Sequence, residues 1–339
     1  MMGPPPHALP QARPTAHTGY AEAGNHARTG SAHGVVFFAM LTAGISITLT
    51  RGLLRSADPF AVAAVRFGLA QLPLFLIVIV LRRPWVSRRD VPRAALAGMI
   101  MFAAYPYCLN AALSRIQASH TALLLSATRA PATILVTALA GIRLHVRDVA
   151  GALVAAVGSA LALFDASAVD AATNGDAGSP AWQCLGLLLL CNALAALYGI
   201  VAEPLVARSS ALSVTATAML PGSLVLLALC DAGALHHLIE LDRASHLQLL
   251  VIALAGGSFS YLGLTFGVPR IGHVTVAAYS CLAPLSSILL AHAWLHERVA
   301  VWFWPGVVVA MAGLWLASTR RAAPASERRG TSAPDKGIR

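Results

Sequence analysis

The stretch "DPFAVAAVRFGLAQLPLFLIVIV", residues 58–80, decides the fold class of this chain. After Asp58 it contains a single charged residue, Arg66, in an otherwise apolar run. A helix rises 1.5 Å per residue and the hydrocarbon core of a bilayer is about 30 Å thick, so about 20 apolar residues are enough to cross it. The stretch therefore predicts a membrane-spanning helix over about residues 60–81.

The composition of the whole chain extends that prediction. Of its 339 residues, 57% are hydrophobic and 11% are charged, whereas about 25% are charged in ordinary soluble domains. The sequence predicts an all-α integral membrane bundle of ten transmembrane helices. The predicted helices cover approximately 34–54, 60–81, 94–113, 117–139, 148–165, 181–204, 211–230, 247–267, 272–294 and 300–318.

Polar segments divide the chain. The N-terminal residues are rich in Pro, Ala, Gly and His and contain no apolar core, which indicates a disordered tail and not a signal peptide. The spacer "DASAVDAATNGDAGSP" separates the predicted helices into two sets of five. The predicted organisation is a disordered cytoplasmic tail (1–33), a first five-helix repeat (34–165), an extracytoplasmic linker (166–180), a second five-helix repeat (181–319) and a basic cytoplasmic tail (320–339).

The net charge of +10 predicts the orientation of the chain. Its basic residues are spread over short loops and a tail without a nucleic-acid-binding signature, so no nucleic acid partner is expected. Cytoplasmic loops of membrane proteins carry an excess of Lys and Arg. With a cytoplasmic N-terminus, five arginines of residues 82–93 face inward, and the 165–180 spacer, which contains only acids, faces outward. Both termini are therefore predicted to be cytoplasmic, in a multi-pass protein of the cytoplasmic (inner) membrane.

The two halves of the chain repeat each other at an offset of 155 residues, the separation of Arg115 from Arg270 and of Gly151 from Gly306. Further pairs at this offset include Gly44 with Gly199 and Gly158 with Gly313. Because each repeat has an odd number of spans, the second must be inserted upside down relative to the first. Inverted repeats are typical of secondary transporters, which bind substrate near the bilayer midplane between the repeats.

Two stretches carry a family resemblance. The first is 58–80, with its spacing from Pro59 to Arg66-Phe67, and the second is "SCLAPLSSILLAHAWLHERVAVWFWPGVVVAMAGLWLAS", residues 280–318, with Pro284 and Glu297. Together with the repeat, they resemble the EamA branch of the drug/metabolite transporter superfamily over about residues 34–319. The first repeat departs from the family pattern, because Arg129 and Ile142 stand where a proline and a glutamate are expected.

The resemblance implies a secondary transporter that moves a small metabolite, such as an amino acid or a related organic solute, outward by alternating access. Its implied partners are a small-molecule substrate, membrane lipid and a coupling ion or counter-substrate, in a monomer or homodimer without a cofactor. The chain has no Gly-rich phosphate loop, so transport has to be passive, exchange-driven or coupled to an ion gradient.

Arg129, in "SATRAPATILV" (126–136), is the main candidate for substrate binding. It lies roughly 18 Å along its predicted helix, and a charge at that depth should face the bundle interior or a water-filled cavity. Its forked donors suit a carboxylate; the alternative is a packing role on backbone carbonyls or a neighbouring helix. Ser126 and Thr133 share its face, and Pro131 permits a kink beside it.

Other polar residues are secondary candidates. Arg66, roughly 9 Å inside its helix, and Glu203, before Pro204, are gating or coupling candidates; the alternatives are snorkelling and interfacial placement. Glu297, Pro131 and Pro284 are predicted structural residues at helix junctions, with Glu297 as a cap or an ion-pair partner of Arg298. The resemblance places six further side chains around a central cavity, with hydrogen bonds between helices as the alternative: Asn110, Tyr107, Tyr198, Ser258, Tyr261 and Tyr279.

Two other functional classes compete with transport. An intramembrane enzyme is suggested by "HAWLHE" (292–297), which puts His292 and His296 one turn apart like zinc ligands. However, the glutamate does not fall between the histidines and no third ligand is evident, so neither a metal nor a catalytic residue is predicted. A receptor or assembly subunit would need a sizeable soluble domain, and the sequence has no segment that predicts one.

Overall fold

The computed structural model describes residues 16–141, 146–163, 181–280, 282–297 and 303–318, and all regular structure in these ranges is helical. The α-helices are α1 Ala16–Leu53, α2 Pro59–Val80, α3 Val91–Gly98, α4 Tyr105–Leu113, α5 Ala118–Ala127, α6 Arg129–Leu139, α7 Val146–Leu163, α8 Ala181–Arg208, α9 Ala211–Leu229, α10 Ala232–Glu240, α11 Arg243–Val251, α12 Ser260–Tyr279, α13 Leu282–Trp294 and α14 Phe303–Ser318. Two π-helical segments, Met99–Ala104 and Ile252–Phe259, join α3 to α4 and α11 to α12.

Length and composition support the membrane fold. Among the described residues, six stretches are long and apolar enough to cross a bilayer, and two shorter apolar helices accompany them. The apolar stretch 58–80 forms α2, which begins where Asp58 accepts hydrogen bonds from the backbone N–H of Phe60 (2.8 Å) and Ala61 (3.0 Å). Pro59 is its first residue, a position that needs no N–H. The prediction of an all-helical membrane bundle is confirmed.

The third and fourth spans of each half share local irregularities. Shifting the first π-helical segment by 155 residues places it on 254–259, inside the second. The fourth span of the first half is broken at Thr128, between α5 and α6. In the second half, α12 is kinked at Gly272 (φ 79°), and α13 begins only at Leu282. The predicted continuous helices 117–139 and 272–294 are therefore interrupted.

Proline explains where these interruptions end. Pro131 is the third residue of α6 and Pro284 is the third residue of α13. In the first turn of a helix the missing proline N–H has no intrahelical partner to lose, so proline is tolerated there but not further along. Pro131, which is two residues out of register with Pro284 in the sequence repeat, occupies the same place in its helix.

Small residues bring the two halves into close contact. A Cβ atom at Gly158 of α7 would collide with the backbone of Ala310 and Gly306 in α14. Gly44 of α1 packs in the same way on the backbone of Ala283 in α13. Small residues allow such close approach between helices in membranes, and the bundle consists of two packed halves.

The structure differs from the sequence prediction at two further places. Helix α1 begins at Ala16, well before the predicted start at 34, because the last proline of the tail is Pro14 and the alanine-rich residues after it favour a helix. Residues 1–15 of the predicted disordered tail, the whole predicted linker (166–180) and the basic tail (320–339) lie outside the described ranges. Helix α10 was not predicted; Asp231 caps it and Leu238 is buried against Leu53 and Leu54.

Candidate substrate site

Arg66 of α2 lies where α2 meets α1 and the second π-helical segment. Its side chain is half-buried, and its guanidinium carbon lies 5.2 Å from the ring centroid of Phe67. A Cβ atom at Gly256, in the second π-helical segment, would lie 3.1 Å from Nη2 of Arg66 and would collide with Ser46 of α1. Residues of α1, α2 and the second half of the chain therefore meet around this cation.

Two buried polar atoms at this position have no protein partner among the described residues: Nε of Arg66 and Oγ of Ser46. Neither ion pair formed in the described ranges involves Arg66. A buried donor left without an acceptor costs about 1–3 kcal/mol. The arrangement is therefore suited to a ligand that brings its own acceptor oxygens.

Two tyrosines lie near the cation, and a third lies near one of them. Tyr105 of α4 and Tyr261 of α12 are close enough to Arg66 to interact with it electrostatically. Tyr198 of α8 is similarly close to Tyr261 and lies beside Thr215. We refer to Ser46, Arg66, Tyr105, Tyr198 and Tyr261 as the Arg66 cluster.

The ring of Phe102 joins the aromatic members of this region. Its centroid lies 5.6 Å from that of Phe67, 6.2 Å from that of Tyr198 and 5.4 Å from that of Tyr261, each in an edge-to-face arrangement. Such pairs are favoured because the ring edge is positive and the ring face negative. The Arg66 cluster, with its cation and three phenol groups, thus lies beside an apolar wall formed by the rings of Phe67 and Phe102.

Arg129 borders this region from the break in the fourth span. It is the first residue of α6, its side chain is exposed, and it is close enough to Tyr105 for an electrostatic interaction. Ser126 donates its hydroxyl to the carbonyl of Ala122 in its own helix at 2.8 Å. The side chain of Thr133 lies outside the described part of the structure. The predicted polar stripe on one continuous helix is therefore interrupted between Ser126 and Arg129.

Four of the predicted cavity residues have partners elsewhere. Asn110 donates to the carbonyl of Pro59 (3.0 Å) and Ser258 to that of Ala70 (2.7 Å), which are hydrogen bonds between helices. Tyr107 is exposed and stacks on Phe60 at 4.3 Å, and the hydroxyl of Tyr279 lies 3.1 Å from Nδ1 of His33. The structure brings only Tyr198 and Tyr261 from this predicted set into the Arg66 cluster. Glu203 is exposed on α8, next to Pro204.

Glu297 is a helix cap, one of the two alternatives that the sequence left open. Its carboxylate is buried and accepts hydrogen bonds from the backbone N–H of Ala118 (2.8 Å) and Ser119 (3.0 Å) at the start of α5. Arg298, the alternative ion-pair partner, lies outside the described residues. His292, one of the two zinc-like histidines, has its Nδ1 3.1 Å from the backbone carbonyl of Glu297.

Sequence reasoning missed Tyr105 and Ser46. Tyr105 and Tyr107 look equivalent in the sequence, yet two residues of a helix point about 200° apart, so only one of them can face the interior. The spacing along the third span did not identify which one, because residues 99–104 are π-helical and depart from the regular helical repeat. Ser46 offered no signal in the sequence.

Comparisons with known proteins agree with this architecture. The model of the EamA-like transporter family matches residues 30–164 and 182–319. A probable terminal-alkyne amino-acid exporter of Streptantibioticus cattleyicolor is 26% identical over 267 residues, which cover 78% of this chain and 83% of that protein. One solved crystal structure superimposes with a TM-score of 0.57 at 20% identity, over 85% of this chain and 96% of that one, a likeness of fold alone. With two matches that together span most of its length, the chain belongs to the EamA-like transporter family, whose members are multi-pass membrane proteins that transport small solutes.

Proposed function

We propose that this protein exports a small carboxylate-bearing solute, an amino acid or a close relative, across the cytoplasmic membrane by alternating access. The main support for this proposal is the Arg66 cluster. There, a cation between the helices has a buried hydrogen-bond donor, Nε, without a partner among the described residues. Arg66 is the binding group for the carboxylate. Arg129, exposed at the start of α6, is a second cation on the route of the substrate.

The chemistry of arginine supports this assignment. The guanidinium presents donors in a planar fork that matches the two oxygens of a carboxylate. Between helices the local dielectric is lower than in water, so this attraction is stronger than at the surface. The rings of Phe67 and Phe102 provide an apolar wall for the rest of a substrate molecule.

The position of the cluster between the two halves supports alternating access. Ser46, Arg66 and Tyr105 belong to the first half, whereas Tyr198 and Tyr261 belong to the second. A rocking motion of one half against the other changes the distances across the cluster and exposes it to alternate sides. The backbone nearest to the cluster is interrupted at three places: the two π-helical segments and the break before Arg129. The helices can bend most easily there, because continuous α-helical hydrogen bonding is missing.

The substrate class and direction are supported by the comparison. The relative from Streptantibioticus cattleyicolor is named as an exporter of an amino acid, and membership of a transporter family favours transport over the enzyme and receptor alternatives. Because the sequence contains no phosphate-binding loop of its own, export is passive, exchange-driven or coupled to an ion gradient. Both termini face the cytoplasm.

Export and its dependence on Arg66 are tested in cells that overexpress the intact protein, Arg66→Gln, Arg89→Gln or nothing, at equal membrane abundance. Arg89 is an exposed arginine on the loop between α2 and α3, so Arg89→Gln is a matched control. Untargeted analysis of metabolites inside and outside the cells should show one carboxylate class displaced outward by the intact protein and by the control. Arg66→Gln should lower the displacement at least about tenfold; full export by this variant would rule out Arg66 as the binding group.

A further inference from the structure

Glu297 connects the two halves of the bundle at one end. It follows α13 in the second half, and its carboxylate caps α5 in the first. Besides the two backbone N–H groups of α5, Oε2 accepts the hydroxyl of Ser119 at 2.7 Å. Gln117, which precedes α5, makes no side-chain cap of its own. The start of α5 thus depends on a carboxylate from the opposite half.

The surroundings hold this carboxylate in place. The backbone N–H of Glu297 donates to the carbonyl of Ala291 (3.2 Å), which closes the end of α13. Arg51 of α1 is near enough to attract Glu297 electrostatically, and its Nη1 donates to the carbonyl of Leu113 at the end of α4 (2.8 Å). Glu297 therefore links the end of α13 to α1, α4 and α5. By charge distribution this is the outward end of the bundle.

The two sequence positions that correspond to Glu297 and Ser119 in the first and second repeat carry no polar side chain. At the repeat offset of 155 residues, Glu297 corresponds to Ile142 and Ser119 corresponds to Val274. Neither an isoleucine nor a valine side chain can accept or donate a hydrogen bond. In an inverted repeat, the two ends of the bundle exchange roles when the transporter changes state. Only one of the two closed states can therefore be stabilised by this carboxylate link.

We propose that Glu297 is a one-sided gate residue that keeps the outward end closed and sets the resting state of the transporter as open to the cytoplasm. The inference rests on the proposed alternating access. Bonds from a carboxylate to backbone N–H groups at a helix N-terminus are charge-assisted and further favoured by the helix dipole. Opening the outward end breaks all three bonds, whereas opening the opposite end breaks none of them. An exporter benefits from this bias because its empty site waits on the side where substrate is loaded.

The gate is tested by measuring the width of the outward end directly. Nitroxide labels are placed by Arg115→Cys and Ala293→Cys, two exposed positions on either side of the junction, in a full chain whose native cysteines are replaced by serine. Double electron–electron resonance in lipid nanodiscs gives the distance distribution between the labels. The labelled protein with Glu297 and Ser119 intact should show mainly the short distance between the two nitroxides, which corresponds to a closed outward end.

Glu297→Gln keeps the size of the side chain but removes its charge and one acceptor oxygen. The ratio of long to short distances should rise about tenfold, which corresponds to about 1.4 kcal/mol. Ser119→Ala removes only the 2.7 Å hydroxyl bond and should give a smaller rise in the same direction. Glu240→Gln, which changes an exposed acid on α10, is the matched control and should leave the distribution unchanged.

A gain-of-function variant tests the asymmetry. Ile142→Glu combined with Val274→Ser supplies the missing pair of side chains at the opposite end, so the long distance at the outward end should become more populated with Glu297 intact. Unchanged distances in Ser119→Ala and in folded Glu297→Gln would overturn the proposal and leave Glu297 a plain helix cap. Should Glu297→Gln fail to fold, Ser119→Ala decides the question alone.

The distance measurement requires no substrate. A failure of the gate proposal can therefore be distinguished from a failure of the proposed function. Unchanged distances together with normal export of a carboxylate would refute the gate and leave the transporter assignment intact. Altered distances in nanodiscs, together with no export of a carboxylate from cells, would support the gate and refute the proposed substrate class.

Discussion

A guanidinium between membrane helices is stable only if its hydrogen-bond donors and its charge are compensated. Arg66 has the faces of Phe67 and the nearby phenol groups of Tyr105 and Tyr261, but no ion-pair partner within the described ranges. The substrate carboxylate completes this set in the proposed function. Geometry, and not charge alone, should then determine binding, because the fork of arginine holds both carboxylate oxygens at once.

Arg66→Lys separates geometry from charge. The variant keeps the positive charge but loses the planar fork, so affinity for the exported carboxylate should fall at least about tenfold while the folded protein stays intact. Uptake into inverted membrane vesicles at varied substrate concentration measures the effect. Arg270→Lys, at an exposed position on α12, is the control. Equal affinities for the wild type and Arg66→Lys would contradict bidentate binding.

Gly256 provides the space that Arg66 occupies. A methyl group there would collide with Ser46 and lie 3.1 Å from Nη2 of Arg66, so Gly256→Ala should displace the guanidinium. Substrate affinity should drop by about tenfold, because a misplaced binding group loses its aligned hydrogen bonds. Gly68→Ala is the matched control, since a methyl group at Gly68 meets nothing within 4 Å. If both variants bind alike in the vesicle assay, Gly256 has no role in placing Arg66.

At the scale of elements, the regular packing of α7 on α14 contrasts with the interrupted third and fourth spans. Gly158 lets α7 approach the backbone of α14 directly, and this pair forms a close contact between the two halves. By contrast, the two π-helical segments and the break before α6 border the Arg66 cluster and Arg129. The close packing of α7 on α14, beside interrupted spans, is compatible with a rocking motion of one half against the other.

The close packing of α7 and α14 predicts opposite effects for two similar substitutions. Gly158→Ala forces a Cβ atom into the backbone of Ala310, an overpacking that costs about 1–3 kcal/mol. Gly186→Ala on α8 meets nothing within 4 Å and gains up to about 1 kcal/mol of helix propensity. Thermal unfolding in detergent should therefore give a lower Tm for Gly158→Ala and an equal or higher Tm for Gly186→Ala. The reverse order would show that α7 and α14 do not pack so closely.

For the whole molecule, charge distribution predicts orientation. The arginines between α2 and α3 and those of the C-terminal tail should stay in the cytoplasm. A green fluorescent protein fused to the C-terminus should be fluorescent, and an alkaline phosphatase fused there should be inactive, because its disulfides form only outside the cytoplasm. An active phosphatase at this position would reverse the orientation and, with it, the side that Glu297 is proposed to close.

Much of the architecture was predictable from the sequence alone. Long apolar runs have one stable solution in a bilayer, a helix that satisfies its own backbone, and the 155-residue repeat indicated two related halves. The role of Glu297 as a cap was also predictable from the sequence, because an acidic side chain beside a helix end has few possible hydrogen-bond or ion-pair partners. Interruptions were harder to locate, since the effect of Pro131 depends on whether it lies in the first turn of a helix or in its middle.

Which side chains meet in the interior was decided only by the tertiary structure. In a soluble helix the apolar face marks the core, but lipid is as apolar as the inside of a helix bundle, so the pattern of a membrane helix does not show which face turns inward. The sequence by itself determined the membrane fold, its repeat and the presence of two arginines within the spans. The packing of α2 against the second π-helical segment decided that Arg66 lies beside the second half, and that Tyr105, and not Tyr107, lies near it.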